Sequence, residues 1–171
     1  DVLVNNRSVL DGLEVDLYIP DKALALEING LYWHSFDRVE SVAEKTRHRN
    51  KRDKCFNKMI SLFNIWEHLW IDKKDIIKSM IHSKIGLNSR IYARKCIVDN
   101  VSNNDFSNFM NTNHLQGNVG SSVKIGLYYG GCLVCAIGCN RNKTYEWEIS
   151  RLASLSGFTV SEEISTKTAF P

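Results

Sequence analysis

The side chains whose types and spacing best suit chemistry are Asp16 and Glu27, with Glu14 beside the first and His34 following the second. Leu13, Val15, Leu17 and Ile19 alternate with Glu14, Asp16 and Tyr18, and Leu24, Leu26 and Ile28 alternate with Ala23, Ala25, Glu27 and Asn29. A period of two predicts two strands, each with one apolar face. Pro20-Asp21 breaks the run and favours a turn, so the strands form a hairpin. Pairing Ile19 with Leu24 makes the apolar faces coincide and sets Asp16 across from Glu27, with side-chain bases about 5 Å apart. Like charges so placed repel unless something neutralises them. A divalent cation such as Mg²⁺ would do so, because hard cations take carboxylate oxygens. The same pattern also fits the wet face of an antiparallel sheet carrying incidental acids. Glu14 shares that face, as a further ligand or as a partner of the backbone. His34 follows in Tyr32-Trp33-His34. An imidazole titrating near pH 6.5 suits proton transfer, although beside Trp33 alone it would read as structural.

These groups need elements to hold them. A helix is expected from about Val39 to Ser61, because Cys55, Phe56, Met59, Ile60 and Phe63 recur at three- and four-residue steps as a buried face. Followed backwards, that stripe carries His48, Lys51 and Arg52 toward the hairpin. Lys45, Arg47, Arg49, Lys51, Arg52, Lys54 and Lys58 crowd the segment, diluted by Asp53. Such a run is either a solvated helix face or a footprint for a phosphate backbone, since bound cations release counterions. Leu62 to Trp66 reads as a strand, and Asp72 with Asp75 resembles a helix start. Ile76, Ile77, Met80, Ile81 and Ile85 form its apolar face, and Gly86 its stop. The order strand, strand, helix, strand, helix is an α/β layer arrangement.

From Arg90 a second module is expected: a strand over IYARKCIVDNV, a short helix around Asp105 to Met110, then strands near 123–129, 132–138 and 145–152. Gly130-Gly131 and Arg141-Asn142-Lys143 are the expected turns. The division falls at 88/89, giving modules 1–88 and 89–171, the second expected to be incomplete. The chain opens on Asp1 rather than Met, as a piece of a longer polypeptide or a processed form would.

A length of 171 residues, 43% hydrophobic and 24% charged, with net charge +3, is ordinary for a soluble globular protein. No apolar run approaches the roughly 20 residues that span a bilayer, so no membrane partner is expected. Five cysteines without a secretory signal point to a reducing, cytoplasmic setting. Cys132, Cys135 and Cys139 invite a zinc reading, but a closed site needs four ligands. On one strand Cys132 and Cys135 point to opposite faces, so small buried hydrophobes are expected there.

The stretches Glu14-Val15-Asp16-Leu17-Tyr18-Ile19-Pro20 and Glu27-Ile28-Asn29-Gly30-Leu31-Tyr32-Trp33-His34, with His48, Lys51 and Ile65-Trp66-Glu67, resemble the PD-(D/E)XK nuclease superfamily. Within it they are most similar to the very-short-patch-repair (Vsr) branch and to phage-type homing endonucleases carrying a Vsr-like domain. The resemblance covers roughly residues 7 to 90. It implies a restriction-endonuclease-like mixed sheet flanked by helices, followed by a smaller α+β module. It implies that Asp16 and Glu27 bind metal and that His34 handles the attacking water. Asn29 stands where the superfamily places a lysine; Lys51, or else Lys45, would supply that charge from the helix. Asp53 could orient His34. The second half carries Tyr92-Ala93-Arg94-Lys95-Cys96, Asn113-His114-Leu115-Gln116-Gly117 and Trp147-Glu148-Ile149-Ser150-Arg151, which resemble segments accompanying such nucleases. Its element order faintly resembles the opening of an acetyltransferase (GNAT) fold, without the glycine-rich pyrophosphate loop; Val160-Ser161-Glu162-Glu163 stands there. An accessory or DNA-contact module is the expectation.

The expected function is therefore Mg²⁺-dependent cleavage of double-stranded DNA by a homing-type endonuclease, as monomer or dimer, in the cytoplasm of a bacterium or phage-infected cell. The alternatives are a Vsr-type mismatch-directed nicking enzyme, a DNA-binding module with a dead nuclease core, and an acyltransferase in the second half.

Overall fold

The computed structural model describes residues 1–30 and 42–162. Chain contacts divide it into two units, Asp1–Ile77 and Lys78–Pro171. The division falls inside a helix, ahead of the 88/89 boundary read from the sequence.

The first unit is a four-stranded mixed sheet with a helix on one face. Strands β1 (Leu3–Leu10), β2 (Leu13–Ile19) and β3 (Leu24–Asn29) form an antiparallel meander. Helix α1 (Val42–Asn57) then crosses over, so that β4 (Ser61–Trp66) pairs parallel to β3. Asp11-Gly12 turns the chain between β1 and β2 with φ of 51° and 94°, the left-handed pair that a tight hairpin demands. Pro20–Lys22 makes a single 3₁₀ turn into β3. The carbonyl of Ala23 accepts from Ser61 N at 2.8 Å, tying the starts of β3 and β4 together.

The β2–β3 register is the expected one: Ile19 faces Leu24, Tyr18 faces Ala25 and Leu17 faces Leu26. The face assignment is corrected. Leu13 and Val15 join Leu10, Tyr18, Ala25, Cys55 and Ile60 in one cluster, so regular alternation does not hold along β2. The helix assignment is corrected too. Cys55 and Ile60 are buried, but α1 ends at Asn57 and Met59 takes a left-handed φ of 55°. Phe56 and Met59 consequently face solvent at 80% and 88% exposure. Beyond β4, α2 (Glu67–Asp72) and α3 (Lys74–Ile85) replace the single helix expected there.

In the second unit the expected strand over 91–101 is broken by a 3₁₀ turn at Ala93–Lys95. Its halves, β5 (Ser89–Tyr92) and β6 (Ile97–Asn100), belong to different sheets. β5 pairs parallel to β10 (Phe158–Ser161). β6 opens an antiparallel sheet with β7 (Val123–Tyr129), β8 (Cys132–Asn142) and β9 (Glu146–Ser154). Helix α4 (Asn103–Asn113) starts at Ser102, whose hydroxyl accepts from Asp105 N at 3.1 Å. Its Phe106, Phe109 and Met110 pack with Val101, Ala136 and Ala153. Gly130-Gly131 is the turn expected, whereas the β8–β9 turn lies beyond Asn142. All five cysteines are free. Cys132 is exposed and Cys135 and Cys139 half-buried, which corrects the expectation that all three are buried.

Candidate active site

The special chemistry of the first unit gathers where β3, β4 and α1 meet. On β3, Glu27 and Asn29 share one face and are each only 7% exposed. Register sets Asn64 of β4 beside Glu27, and Asn29 Nδ2 donates to Asn64 Oδ1 at 3.2 Å. Asn64 was not singled out in the sequence. A polar residue in the middle of a strand otherwise carrying Leu62 and Trp66 on that face was the available signal.

From α1, the Lys51 side chain reaches down to this face. Its Nζ donates to Glu27 Oε2 at 2.7 Å, and the residue is 7% exposed. Lys51 and Cys55 lie one turn apart on the packed side of α1, the geometry the helical stripe implied. Glu27 Oε1 is also buried and has no hydrogen-bond partner among the described residues. Burial pushes the Glu27 carboxyl above its usual range, Lys51 opposes that rise, and the nearby charge of Asp16 adds to it.

The β2–β3 ladder stops at Leu17–Leu26. Asp16 follows as a half-buried residue whose Oδ2 accepts from Ile28 N at 2.7 Å. The two acids are thus brought to the same end of the hairpin, with Asp16 anchored on the backbone of β3 next to Glu27. Glu14 is drawn elsewhere: Arg7 holds its Oε2 at 2.6 and 2.7 Å. Among the described residues no three of His, Cys, Asp and Glu form a metal-binding group, and Glu14, expected as a further ligand or a partner of the backbone, pairs with Arg7. The remaining donor set still fits a hard cation. Two carboxylates, one carrying a buried oxygen without a partner, are what Mg²⁺ commonly takes from a protein, the balance being water and phosphate.

A cavity of about 600 Å³ opens over Glu27, Asn29, Lys51 and Asn64. His48, Arg49 and Arg52 line it from α1 and are exposed. Arg52 also pairs with Asp53 at 3.1 Å, so that acid is occupied by its neighbour. Lys54 and Lys58, expected to face DNA phosphates, turn instead to the β1–β2 hairpin. Lys54 Nζ donates to the Leu10 carbonyl at 3.0 Å and Lys58 Nζ to Asp11 Oδ1 at 2.8 Å. The Lys58 bond holds the Asp11 carboxyl below its ordinary value. His34 lies outside the described residues, as do the side chains of Lys45 and Arg47.

In the second unit, Asn113–Gly117 and Trp147–Arg151 come together, with Arg151 Nε donating to the Gly117 carbonyl at 3.0 Å. Burial and the Arg151 charge lower the His114 pKa. No helix among the described residues is long and apolar enough to cross a membrane. Comparison with family models, with curated proteins and with solved structures finds no match to this chain.

Proposed function

We propose that the first unit is the catalytic core of a metal-dependent endonuclease that hydrolyses phosphodiester bonds in double-stranded DNA. The observation that carries this reading is the buried Glu27 carboxylate, one oxygen on Lys51 and the other without a partner among the described residues, at the floor of a cavity lined by His48, Arg49 and Arg52. An antiparallel hairpin joined through a helix to a parallel strand is compatible with the restriction-endonuclease-like arrangement that the sequence resemblance implies.

Asp16 and Glu27 would hold the cation through carboxylate oxygens, Asp16 being kept in place by the Ile28 amide. Mg²⁺ bound there supplies charge neutralisation at the phosphate and lowers the pKa of an attacking water. Lys51 supplies the positive charge that Asn29 cannot, at the edge of the same cavity. A cation already at the site when the phosphate arrives stabilises the negative charge that develops there. Arg49 and Arg52 bind flanking phosphates and set the register of the duplex. His34, by the sequence resemblance, takes the proton from the attacking water. The second unit is assigned an accessory role in contacting DNA.

The test is incubation of supercoiled plasmid with the wild type and Asp16→Ala, in Mg²⁺ or in EDTA. Relaxed or linear product from the wild type in Mg²⁺ alone, absent with the variant, supports the reading. Binding that persists in EDTA with no Mg²⁺-dependent cleavage would instead mark a DNA-binding module with a dead core. Matched and mismatched duplexes separate the homing-type reading from mismatch-directed nicking.

A further inference from the structure

The two oxygens of Glu27 have unequal partners. Oε2 is bonded to an ammonium that is itself buried, and Oε1 is buried without a partner among the described residues. A buried lysine is held in place by its counter-charge, because a compact ammonium is strongly hydrated in water. Its surroundings in the cavity otherwise include the cationic Arg49 and Arg52, and among the described lining residues it has no second anionic partner until a phosphate arrives. Resting on the nuclease reading above, we infer that Lys51 is an internal stand-in for the cation. Its ammonium occupies Glu27 in the metal-free protein, and it must give way when a divalent ion binds.

The charge arithmetic gives this consequences. With Lys51 in place the group of Asp16, Glu27 and Lys51 carries one net negative charge, and adding a divalent ion leaves one net positive charge. Without Lys51 the same addition ends at neutrality. The lysine therefore weakens cation binding to the free protein. A DNA phosphate in the cavity gives the displaced ammonium a new partner and removes the surplus positive charge. Cation and DNA then bind with positive coupling, and by linkage each strengthens the other equally. Such a site loads its metal chiefly on substrate.

The test is calorimetric titration of Ca²⁺ into the wild type, Lys51→Met, Lys51→Gln and Glu27→Gln, with and without a short duplex. A pH of about 8 keeps carboxylates ionised. Lys51→Gln retains a donor for Oε2, so it reports on the charge should the methionine variant fail to fold by circular dichroism. The Lys51 variants are expected to bind Ca²⁺ about tenfold more tightly than the wild type in the absence of DNA. DNA should tighten Ca²⁺ binding more in the wild type than in either variant. Equal or weaker affinity in the folded Lys51 variants, with binding still abolished by Glu27→Gln, would overturn the stand-in role and leave the metal site intact. Binding indifferent to Glu27→Gln, or no binding by any of the proteins even with DNA, would overturn the metal-site reading itself.

Discussion

In the absence of metal, Lys51 and Glu27 are expected to contribute to stability as a coupled pair, and a double-mutant cycle measures how strongly. Their charged atoms stand 2.7 Å apart, with the side chains 9% and 10% exposed. At an effective dielectric of about 20, unit charges at that separation attract by about 6 kcal/mol, and desolvation offsets much of this. Removing one partner forfeits the attraction but keeps the other charge buried. Lys51→Met and Glu27→Gln should therefore each lower the unfolding free energy by about 3–5 kcal/mol. The double variant buries no charge at this position and should cost less than the sum, giving a coupling energy of about 2–3 kcal/mol. The four proteins would be unfolded in urea with EDTA present, followed by circular dichroism and tryptophan fluorescence together. The pH dependence has a definite sign. Because burial raises the Glu27 carboxyl, the folded state holds that proton more tightly than the unfolded chain. Its contribution is full in acid and is lost as pH rises through the raised value. Losing Lys51 raises the carboxyl further, so the deficit of Lys51→Met should shrink toward acid pH. Costs that add to within about 0.5 kcal/mol would refute the coupling.

Asp16→Ala should abolish Mg²⁺-dependent plasmid cleavage while leaving DNA affinity in EDTA largely unchanged, as read on gels and by fluorescence anisotropy. Single-turnover kinetics of His34→Ala should show cleavage slowed by about 10²–10⁴-fold, the range for losing a general base; an unchanged rate would make His34 structural. Arg49→Ala and Arg52→Ala should each reduce the slope of log affinity against log salt by about 1. Lys58→Ala should barely change that slope, since Lys58 is held by Asp11. In the second unit, a methyl group at Gly126 would come within 2.5 Å of Leu133 Cδ1 and 2.7 Å of Val101 Cγ2. Gly126→Ala should consequently cost about 1–3 kcal/mol through overpacking, visible as a lowered thermal midpoint.

The register of the hairpin carrying the acids was legible because alternating residue types and one proline leave little choice of pairing, although the faces of β2 do not alternate regularly. Lys51 was legible for a related reason: helical spacing from the buried Cys55 puts it on the inward side. Other features depended on events that periodicity does not record. The run of Phe56 and Met59 looked buried only for a helix continuing past Asn57, and the left-handed Met59 ends that continuation. β1 was missed because Asn5, Asn6, Arg7 and Ser8 do not alternate on an exposed outer strand, although Asp11-Gly12 is a strong hairpin signal. The diversion of Glu14 to Arg7 and of Lys54 and Lys58 to the β1–β2 turn follows from that missed strand. The Asp16 contact to the Ile28 amide is a local departure from the ladder, and no pattern of residue types announces it.

The connection from β3 through α1 to β4 also dictates an order of assembly. The β2–β3 hairpin closes over a short turn, whereas pairing β4 with β3 requires closing a far longer stretch of chain, and that loop entropy must be met before the contacts reward it. In a chain emerging from the ribosome, Glu27 is therefore made, and its hairpin can form, while the carboxylate is still in water. Lys51 is synthesised later and arrives with the docking helix. Burying the acid and delivering its counter-charge are then a single folding event rather than two. The hairpin can exist first without ever confining an unpaired charge.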